Sequence, residues 1–371
     1  MIAIRTSWVA RVLVTLCMTA MWSLDTASSV YAGRAAESGE PSKSLSKVER
    51  GKAMSKAGAG KKVTPHQTDA LDRCEAEAQA LSEAGIVFIG PNAAAIDAMG
   101  DKIESKKAAA AAKVSTVPGY MGEIQDETHA VKIAEEIGYP VMMKASAGGG
   151  GKGMRIAYDR KEVLEGFPLA RSEAKASFGD DRMFIEKFII DPRHIEIQLI
   201  GDKHGNVVYL GERECSIQRR NQKVIEEAPG PLIPRDRAVA VADQIAGIMR
   251  SMGYDNIGTV EMLLGADGTF SFLEMNPRLQ VEHGVTEEVT GVDLVRAQIR
   301  SAAGEKLADI LPGKPEIRGH AIQARVYAED PKNFFPSPGR LTVFRPPQGE
   351  GIRVDTGYAE GRDVTPHYDP M

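Results

Sequence analysis

The sequence predicts a mixed α/β fold, and its length of 371 residues is about right for two or three domains. Three stretches indicate the strands of this fold. GYPVMMKAS, residues 138–146, is an apolar run typical of a fully buried strand. HIEIQLIGD, residues 194–202, alternates polar and apolar side chains with the period of a strand. The Asp267-Gly268 pair, between two apolar runs, is a strong hairpin signal.

The overall composition fits a globular protein. Of 371 residues, 43% are hydrophobic and 26% are charged. The net charge of -5 gives no reason to expect nucleic acid, which favours a basic patch. The three cysteines, Cys17, Cys74 and Cys215, lack metal-ligand spacing. They indicate a reducing compartment without a disulfide framework.

The first 66 residues differ from the rest of the chain. Residues 1–32 carry arginines and an apolar run of 13 residues, which is typical of a secretory signal, a transit peptide or a mis-assigned gene start. The run is too short to predict a membrane span. Residues 33–66 are rich in Gly, Ser, Lys and Ala, and we expect them to be disordered.

Further elements follow from local patterns. Residues 70–85 predict a helix that Gly85 ends, and IVFIG, residues 86–90, predicts a short buried strand. Helices are also expected over 93–100 and 128–137, and a second strand over 206–212. From about residue 318, short strands broken by Pro and Gly indicate a separate β-rich unit.

The glycine-rich stretch KASAGGGGKGM, residues 144–154, is not a Walker loop, because Gly153 stands where that motif needs Ser or Thr. A dinucleotide loop is excluded as well, because strand-like RIAY follows in place of a helix. The remaining interpretations are a mobile hairpin loop that binds phosphate, with Lys144 beside it, and a flexible surface turn.

The Asp267-Gly268 hairpin places two carboxylates opposite each other. Counting outward from the turn, Glu261 pairs with Glu274, and Asn276 lies on the same face two residues further along. Facing like charges are destabilising, and a hard cation such as Mg²⁺ resolves the conflict. The alternative is that both glutamates are solvated.

Several motifs carry a family resemblance. KASAGGGGKGM, EKFIIDPRHIEIQ, ERECSIQRRNQKVIEEAP, LEMNPRLQVEH and AEDPKNFFPSPG resemble the biotin carboxylases, which have the ATP-grasp fold, and especially those of acyl-CoA carboxylases of the propionyl-CoA type. The similarity covers about residues 86–371. It implies a remnant of an N-terminal α/β domain over 67–105, an ATP-grasp domain over 106–305 and the start of a C-terminal domain over 318–371.

The resemblance also implies a reaction and an ATP site. ATP and bicarbonate would give carboxyphosphate, and biotin would then be carboxylated. The residues that match the family's ATP contacts are Lys102, Lys144, Gly150, Gly151, Glu186, Lys187, Phe188, Ile189, His194, Gln218 and Asn221. In isolation, a histidine on an alternating strand such as His194 is more often a packed or surface histidine.

The same resemblance implies a metal site and a bicarbonate site. Glu261, Glu274 and Asn276 match ligands of Mg²⁺ or Mn²⁺. The residues that match bicarbonate contacts are Lys223, Arg278, Gln280, Val281 and Arg325. The implied catalytic residues are Lys223, Arg278, Arg325 and the general base Glu282, for which capping of a helix is the alternative.

The chain also departs from the family pattern. Gly284 stands where the family usually has Pro, most of the N-terminal domain has no counterpart, and the chain stops at its YDPM motif. No Met-Lys-Met motif is present, so biotin is expected on a separate carrier. A half-built N-terminal domain is expected to expose apolar surface.

The implied partners are bicarbonate, a biotin carrier domain, a carboxyltransferase β subunit and further copies of the chain, without nucleic acid or membrane. The implied location is the bacterial cytoplasm or the mitochondrial matrix. Two alternatives remain, namely another ATP-grasp ligase and a non-catalytic fragment that binds nucleotide.

Overall fold

The computed structural model describes residues 70–365, except 101, 121, 147–152, 312 and 314, together with the backbone of one strand, Ala10–Leu16 (β1). Apart from that strand, the predicted leader and linker over 1–66 lie outside the described residues. The chain divides into two compact units, and the described part of the first ends at Ala324. Among the described residues, none of the helices combines the length and apolarity that a membrane span requires.

Three helices begin the first unit: Ala70–Glu83 (α1), Ala93–Gly100 (α2) and Lys102–Ala111 (α3). Gly85 follows α1 with a φ of 70°, as the predicted helix end requires. The predicted buried strand at 86–90 is wrong, since this segment forms no strand and Ile86, Val87 and Ile89 are about half exposed. An apolar strand needs a neighbouring strand for its backbone, and no strand of the described chain pairs with this segment.

A small antiparallel sheet follows, with strand order β3-β2-β4 and two helices packed on one face. Asp126 and Asp159 cap the two helices through side-chain bonds to backbone N–H groups. The elements are Glu127–Ile137 (α4), Val141–Ala145 (β2), Met154–Ala157 (β3), Arg160–Phe178 (α5) and Met183–Lys187 (β4).

The small sheet buries only one of its faces. Val141, Met143 and Ala145 of β2 are buried beneath the helices, whereas Met142 and Lys144 are partly exposed. The expectation of a strand buried on both faces is therefore wrong. Helices cover a single side of this sheet, which leaves Lys144 on the other.

The main sheet of the first unit has six neighbouring strands in the order β10-β7-β6-β5-β8-β9, and each adjacent pair is antiparallel. The elements from here to the end of the unit are Arg193–Gly201 (β5), Val207–Arg219 (β6), Gln222–Ala228 (β7), Arg235–Ser251 (α6), Asn256–Leu264 (β8), Phe270–Asn276 (β9), His283–Thr290 (α7), Leu294–Ala302 (α8), Leu307–Ile310 (α9) and His320–Arg325 (β10).

Both faces of the central strand β5 are buried. Ile195, Ile197 and Leu199 enter a core with α6, as the alternation predicts. On the opposite face Glu196 and Gln198 are fully buried as well. Polar side chains so deeply placed need partners, and those partners define the candidate site.

A short extended segment joins the two sheets. Phe272 of β9 donates its backbone N–H to Ser115, and Lys187 of β4 donates to Pro118. Segment 115–120 therefore lies against an edge strand of each sheet.

The second unit includes the residues from Arg325 onward, and this part of it is described up to residue 365. It contains Gly339–Arg340 (β11), Ile352–Thr356 (β12) and Asp363–Val364 (β13), and β11 pairs with β13. These short strands agree with the β-rich character predicted for the end of the chain.

Candidate active site

The β8–β9 hairpin brings two glutamates together. Glu261 pairs directly with Glu274, so the predicted register is confirmed at this position. Nearer the turn the pairing is shifted by one residue, because a bulge lies between Glu261 and Met262. The Asn276 amide donates to Glu261 Oε1 at 2.9 Å, which places the predicted third ligand on the same face.

The row of charges extends further than the sequence indicated. Across β5 and β8, Glu196 pairs with Glu261, and across β5 and β6 it pairs with Arg213. Arg213, Glu196, Glu261 and Glu274 therefore lie side by side on four adjacent strands. Three neighbouring carboxylates repel one another, and the fold must supply positive charge to hold them.

Lys223 supplies part of that charge. Its ammonium contacts Glu196, lies 3.0 Å from Glu261 Oε1 and lies 2.6 Å from Glu282 Oε1. A two-residue turn between β6 and β7 positions it, with Arg220 and Asn221 both at positive φ. The predicted ATP contact Asn221 and the predicted bicarbonate contact Lys223 are therefore fixed by one tight turn.

The electrostatics follow from burial and pairing. Burial alone would raise the pKa of Glu196, but Lys223 and Arg213 outweigh it and hold the pKa at about 2. For Glu261, burial is likewise outweighed by Lys223 and His194, and its pKa lies well below its ordinary range. Burial would lower the pKa of Lys223, but the three glutamates raise it well above the usual value. These groups are therefore ionised at neutral pH.

His194 belongs to the same cluster. Its Nε2 lies 2.7 Å from Glu261 Oε2, and its Nδ1 lies 3.2 Å from the side-chain amide of Gln218. Burial disfavours the imidazolium, yet Glu261 outweighs this effect and raises the pKa of His194. Two predicted ATP contacts, His194 and Gln218, thus lie beside the predicted metal ligands.

The predicted bicarbonate residues follow β9. Exposed Arg278 donates to Asn276 Oδ1 at 3.1 Å, and the Val281 carbonyl accepts from Gln323 at 3.4 Å. The Gln280 side chain is engaged at both ends, donating to Glu261 and accepting from Arg213. Because both ends of this side chain are occupied, a ligand would contact the backbone of Gln280 more readily than its side-chain amide.

Glu282 stands at the N-cap position of α7 but makes no side-chain capping bond. Its carboxylate contacts Lys223 instead, and only 3% of the residue is exposed. The capping alternative therefore does not describe its side chain. A buried carboxylate that faces an ammonium is suited to proton transfer beside an anion.

The donor set fits a hard divalent cation. Glu261 and Glu274 offer carboxylate oxygens and Asn276 an amide oxygen, all on one face of the hairpin. Glu196 and Glu282 bring the cluster to four carboxylates, of which Lys223 and Arg213 balance two charges. Residues His194, Glu196 and Glu261 also have ligand atoms close enough to share one ion.

The small sheet carries a second charged cluster. Glu186 of β4 contacts Lys144 of β2 and Lys106 of α3, and both Glu186 and Lys106 are buried. The Lys106 ammonium also lies 5.1 Å from the centre of the Phe184 ring. Sequence reasoning missed Lys106, although its spacing from buried Ile103 places it on the inner face of α3.

The predicted adenine segment 186–189 is tied into the fold. Phe188 donates its backbone N–H to Pro140, and the Lys187 ammonium donates to the carbonyls of Gly138 and Tyr139 at 2.9 and 2.7 Å. These bonds fix the backbone of the segment. Its contact with a nucleotide stays a prediction.

The glycine-rich stretch is a hairpin connection, as expected. Lys144 pairs with Met154 across β2 and β3, and Ala145 donates to Gly153. Gly150, Gly151 and the side chain of Lys102 lie outside the described residues. Arg325 belongs to the second unit, so the arrangement of side chains in the first unit does not test its predicted role.

Two antiparallel sheets, each with its own cluster of lysine and glutamate side chains, match the ATP-grasp class that the sequence motifs resemble. A family model described as the carbamoyl-phosphate synthase L chain ATP-binding domain matches residues 101–310. A second model, the biotin carboxylase C-terminal domain, matches residues 323–371. The first match alone covers more than half of the chain.

Relatives agree with these models. The chain is 55% identical over 315 residues to the propionyl-CoA carboxylase α chain of Ruegeria pomeroyi, a match that covers 79% of this chain and 46% of the relative. The chain thus spans less than half the length of that relative.

Solved structures agree as well. The biotin carboxylase domain of Hydrogenobacter thermophilus 2-oxoglutarate carboxylase, a dimer in complex with MgADP, ADP and bicarbonate, is 45% identical with a TM-score of 0.77, covering 81% of this chain and 66% of that one. Campylobacter jejuni biotin carboxylase is 40% identical with a TM-score of 0.77, covering 82% and 68%. The chain belongs to the biotin carboxylase family.

Proposed function

We propose that this chain is the biotin carboxylase component of an acyl-CoA carboxylase, most consistent with the propionyl-CoA type. It would use ATP and bicarbonate to carboxylate biotin through carboxyphosphate. The observation that carries the proposal is the buried contact of Lys223 with Glu282, next to the paired glutamates Glu261 and Glu274. A base, a fixed positive charge and a metal-binding hairpin thus lie together.

The ATP side is proposed to combine both sheets. Lys144, with the glycine loop that follows it, would contact phosphate oxygens, and segment 186–189 would hold the adenine. Glu261, Glu274 and Asn276 would bind Mg²⁺, which supplies charge stabilisation for the transferring phosphoryl group. The Glu261 carboxylate, whose pKa Lys223 and His194 hold well below its ordinary range, is ionised at neutral pH, as a Mg²⁺ ligand requires.

The bicarbonate side is proposed to lie between Lys223 and Arg278. Glu282 would remove the bicarbonate proton, so that a bicarbonate oxygen attacks the γ-phosphorus and ADP leaves. The Lys223 ammonium lies 2.6 Å from Glu282 Oε1, so the proposed base and a positive charge that can attract bicarbonate lie side by side. The planar guanidinium of Arg278 suits a planar anion, and Arg325 is proposed to stabilise the biotin enolate.

Partners and location follow the family. Biotin would arrive on a separate carrier domain, and a carboxyltransferase β subunit would select the acyl-CoA. Self-association is proposed as well, since the Hydrogenobacter thermophilus relative is described as a dimer. The proposed location is the bacterial cytoplasm or, as for the Sus scrofa α chain, the mitochondrion.

ATP hydrolysis by the intact chain tests this proposal. The expected result is Mg²⁺-dependent release of phosphate that needs bicarbonate and increases with free biotin. Glu282→Gln should abolish the bicarbonate-dependent part and keep ATP binding. Nucleotide binding without any hydrolysis would favour a non-catalytic fragment, and hydrolysis that needs another acceptor would favour a different ATP-grasp ligase.

A further inference from the structure

We propose that Arg213 is a positioning residue, which holds the bicarbonate-binding segment and the helix of the general base against the sheet. This inference rests on the proposed function and extends it to a residue outside the matched ATP, metal and bicarbonate sets. Arg213 lies in the middle of β6 and is fully buried.

The guanidinium is fully committed to buried partners. Nε and Nη2 both donate to Glu196 Oε2, at 3.0 and 2.9 Å, and Nη1 donates to Gln198 Oε1 at 2.6 Å. Nη1 also contacts Thr286 Oγ1 at 3.0 Å, and Nη2 contacts Gln280 Oε1 at 3.0 Å and Thr259 Oγ1 at 3.3 Å. Each of these partners is itself buried.

These partners belong to separate segments of the chain. Glu196 and Gln198 lie on β5, and Thr259 lies on β8. Gln280 lies in the segment that carries the bicarbonate residues, and Thr286 lies in α7, whose N-cap is Glu282. A single side chain therefore ties two strands, the bicarbonate segment and the base helix together.

Arg213 also acts on the site through charge. It shares Glu196 with Lys223, and Lys223 in turn contacts Glu282. By accepting from Arg213, Gln280 is oriented with its amide N–H₂ toward Glu261. The result is a continuous network from Arg213 to the base on one side and to a metal ligand on the other.

A lysine cannot reproduce this arrangement. Arginine presents five N–H donors in a rigid plane, whereas lysine presents three donors at one atom. At position 213 a lysine would keep the charge beside Glu196 but lose contacts to Gln280 and Thr286. Bicarbonate binding should therefore weaken, while ATP binding at the small sheet is preserved.

The test compares steady-state ATP hydrolysis of the intact chain and of three variants. Arg213→Lys should raise the KM for bicarbonate about tenfold or more and lower kcat, with the KM for ATP within about twofold. Thr286→Val removes one hydroxyl contact and should raise the KM for bicarbonate roughly two- to tenfold. Arg300→Lys is the control, because Arg300 lies on α8 and pairs with Glu305, a residue outside the proposed site.

Thermal unfolding of each variant, with and without bicarbonate in the presence of MgADP, gives a second measurement. The stabilising shift caused by bicarbonate should shrink in Arg213→Lys and Thr286→Val but not in Arg300→Lys. If Arg213→Lys does not fold, Thr286→Val alone tests the positioning role. This substitution replaces one buried hydroxyl by a methyl group of similar size.

The possible outcomes distinguish a failure of the positioning role of Arg213 from a failure of the proposed function. If the wild type responds to bicarbonate and both Arg213→Lys and Thr286→Val respond equally well, the positioning role alone is overturned. The same conclusion follows if the variants raise the KM for bicarbonate and the KM for ATP by the same factor. A wild-type chain without any bicarbonate response would overturn the proposed function, and the role of Arg213 with it.

Discussion

Replacing Lys223 with methionine tests the electrostatics of the cluster, since it removes the ammonium and keeps much of the side-chain volume. Glu196, Glu261 and Glu282 would each lose a buried partner. A Glu196 pKa of about 2, against an ordinary value of 4.5, corresponds to about 3 kcal/mol. Arg213 contributes to this shift as well, so the expected cost of removing Lys223 is taken from buried ion pairs in general, where loss of one partner costs about 3–5 kcal/mol.

Thermal unfolding at several pH values measures this loss. A cost of about 3 kcal/mol corresponds to a decrease in Tm of roughly 6–12 °C for a unit of this size. In the wild type, the lowered pKa of Glu196 gives stability that is present above about pH 4.5 and lost as the pH falls toward 2. Without Lys223 the carboxylates bind protons more readily, so the deficit should be largest near pH 8 and smaller at pH 4.5.

Lys175→Met is the matched control, because its partner Asp181 lies 3.3 Å away at the surface. Because this pair is exposed to solvent, its loss should change stability far less than the loss of the buried Lys223 contacts. A Lys223→Met deficit no larger than that of the control, or one that does not change with pH, would refute the electrostatic account.

Three further changes have defined outcomes. Lys144→Ala should weaken ATP binding at least tenfold in a titration, and an unchanged affinity would remove Lys144 from the phosphate site. Lys106→Met should destabilise by about 3 kcal/mol, whereas Lys107→Met, at an exposed neighbour, should cost less than about 1 kcal/mol in the same unfolding assay. Asp202 accepts backbone N–H bonds from His204 and Leu307, which outweigh burial and lower its pKa. Asp202→Asn should therefore cost about 1–2 kcal/mol at pH 7 and little once the pH falls through that lowered pKa, and an equal cost at both pH values would contradict this.

The parts of the fold predicted correctly are those that local chain geometry determines. A two-residue turn signal and the strand period are enough to place Glu261 opposite Glu274, even though a bulge shifts the pairing nearer the turn. Likewise, the strand-like residues on either side of the glycine-rich stretch are enough to predict the hairpin that β2 and β3 form. The resemblance in the motifs identified the family, which the family models and relatives confirm.

The parts that were missed depend on contacts between distant segments. Arg213 meets Glu196 only because β5 pairs with β6 in one register, and Glu196 meets Glu261 only because β5 also pairs with β8. Nothing local to either strand specifies these neighbours. The alternation of residues 194–202 indicated that Glu196 shares a face with His194, but not that this face is buried.

The buried strand predicted over residues 86–90 is wrong because it was inferred from the local pattern alone. Its apolar run is strand-like, but a strand also requires a neighbour, and its side chains are instead about half exposed. Exposed Ile86 and Val87 agree with the expectation of uncovered apolar surface in this region.

The most direct test of the central claim follows the oxygen atoms of bicarbonate. If Glu282 activates bicarbonate for attack on the γ-phosphorus, then hydrolysis of ATP with ¹⁸O-labelled bicarbonate in unlabelled water transfers one bicarbonate oxygen into the released phosphate. Mass spectrometry of the phosphate should therefore detect one ¹⁸O atom per turnover, and Glu282→Gln should abolish it. Phosphate that carries only solvent oxygen would show that water, not bicarbonate, is the nucleophile and would contradict the account.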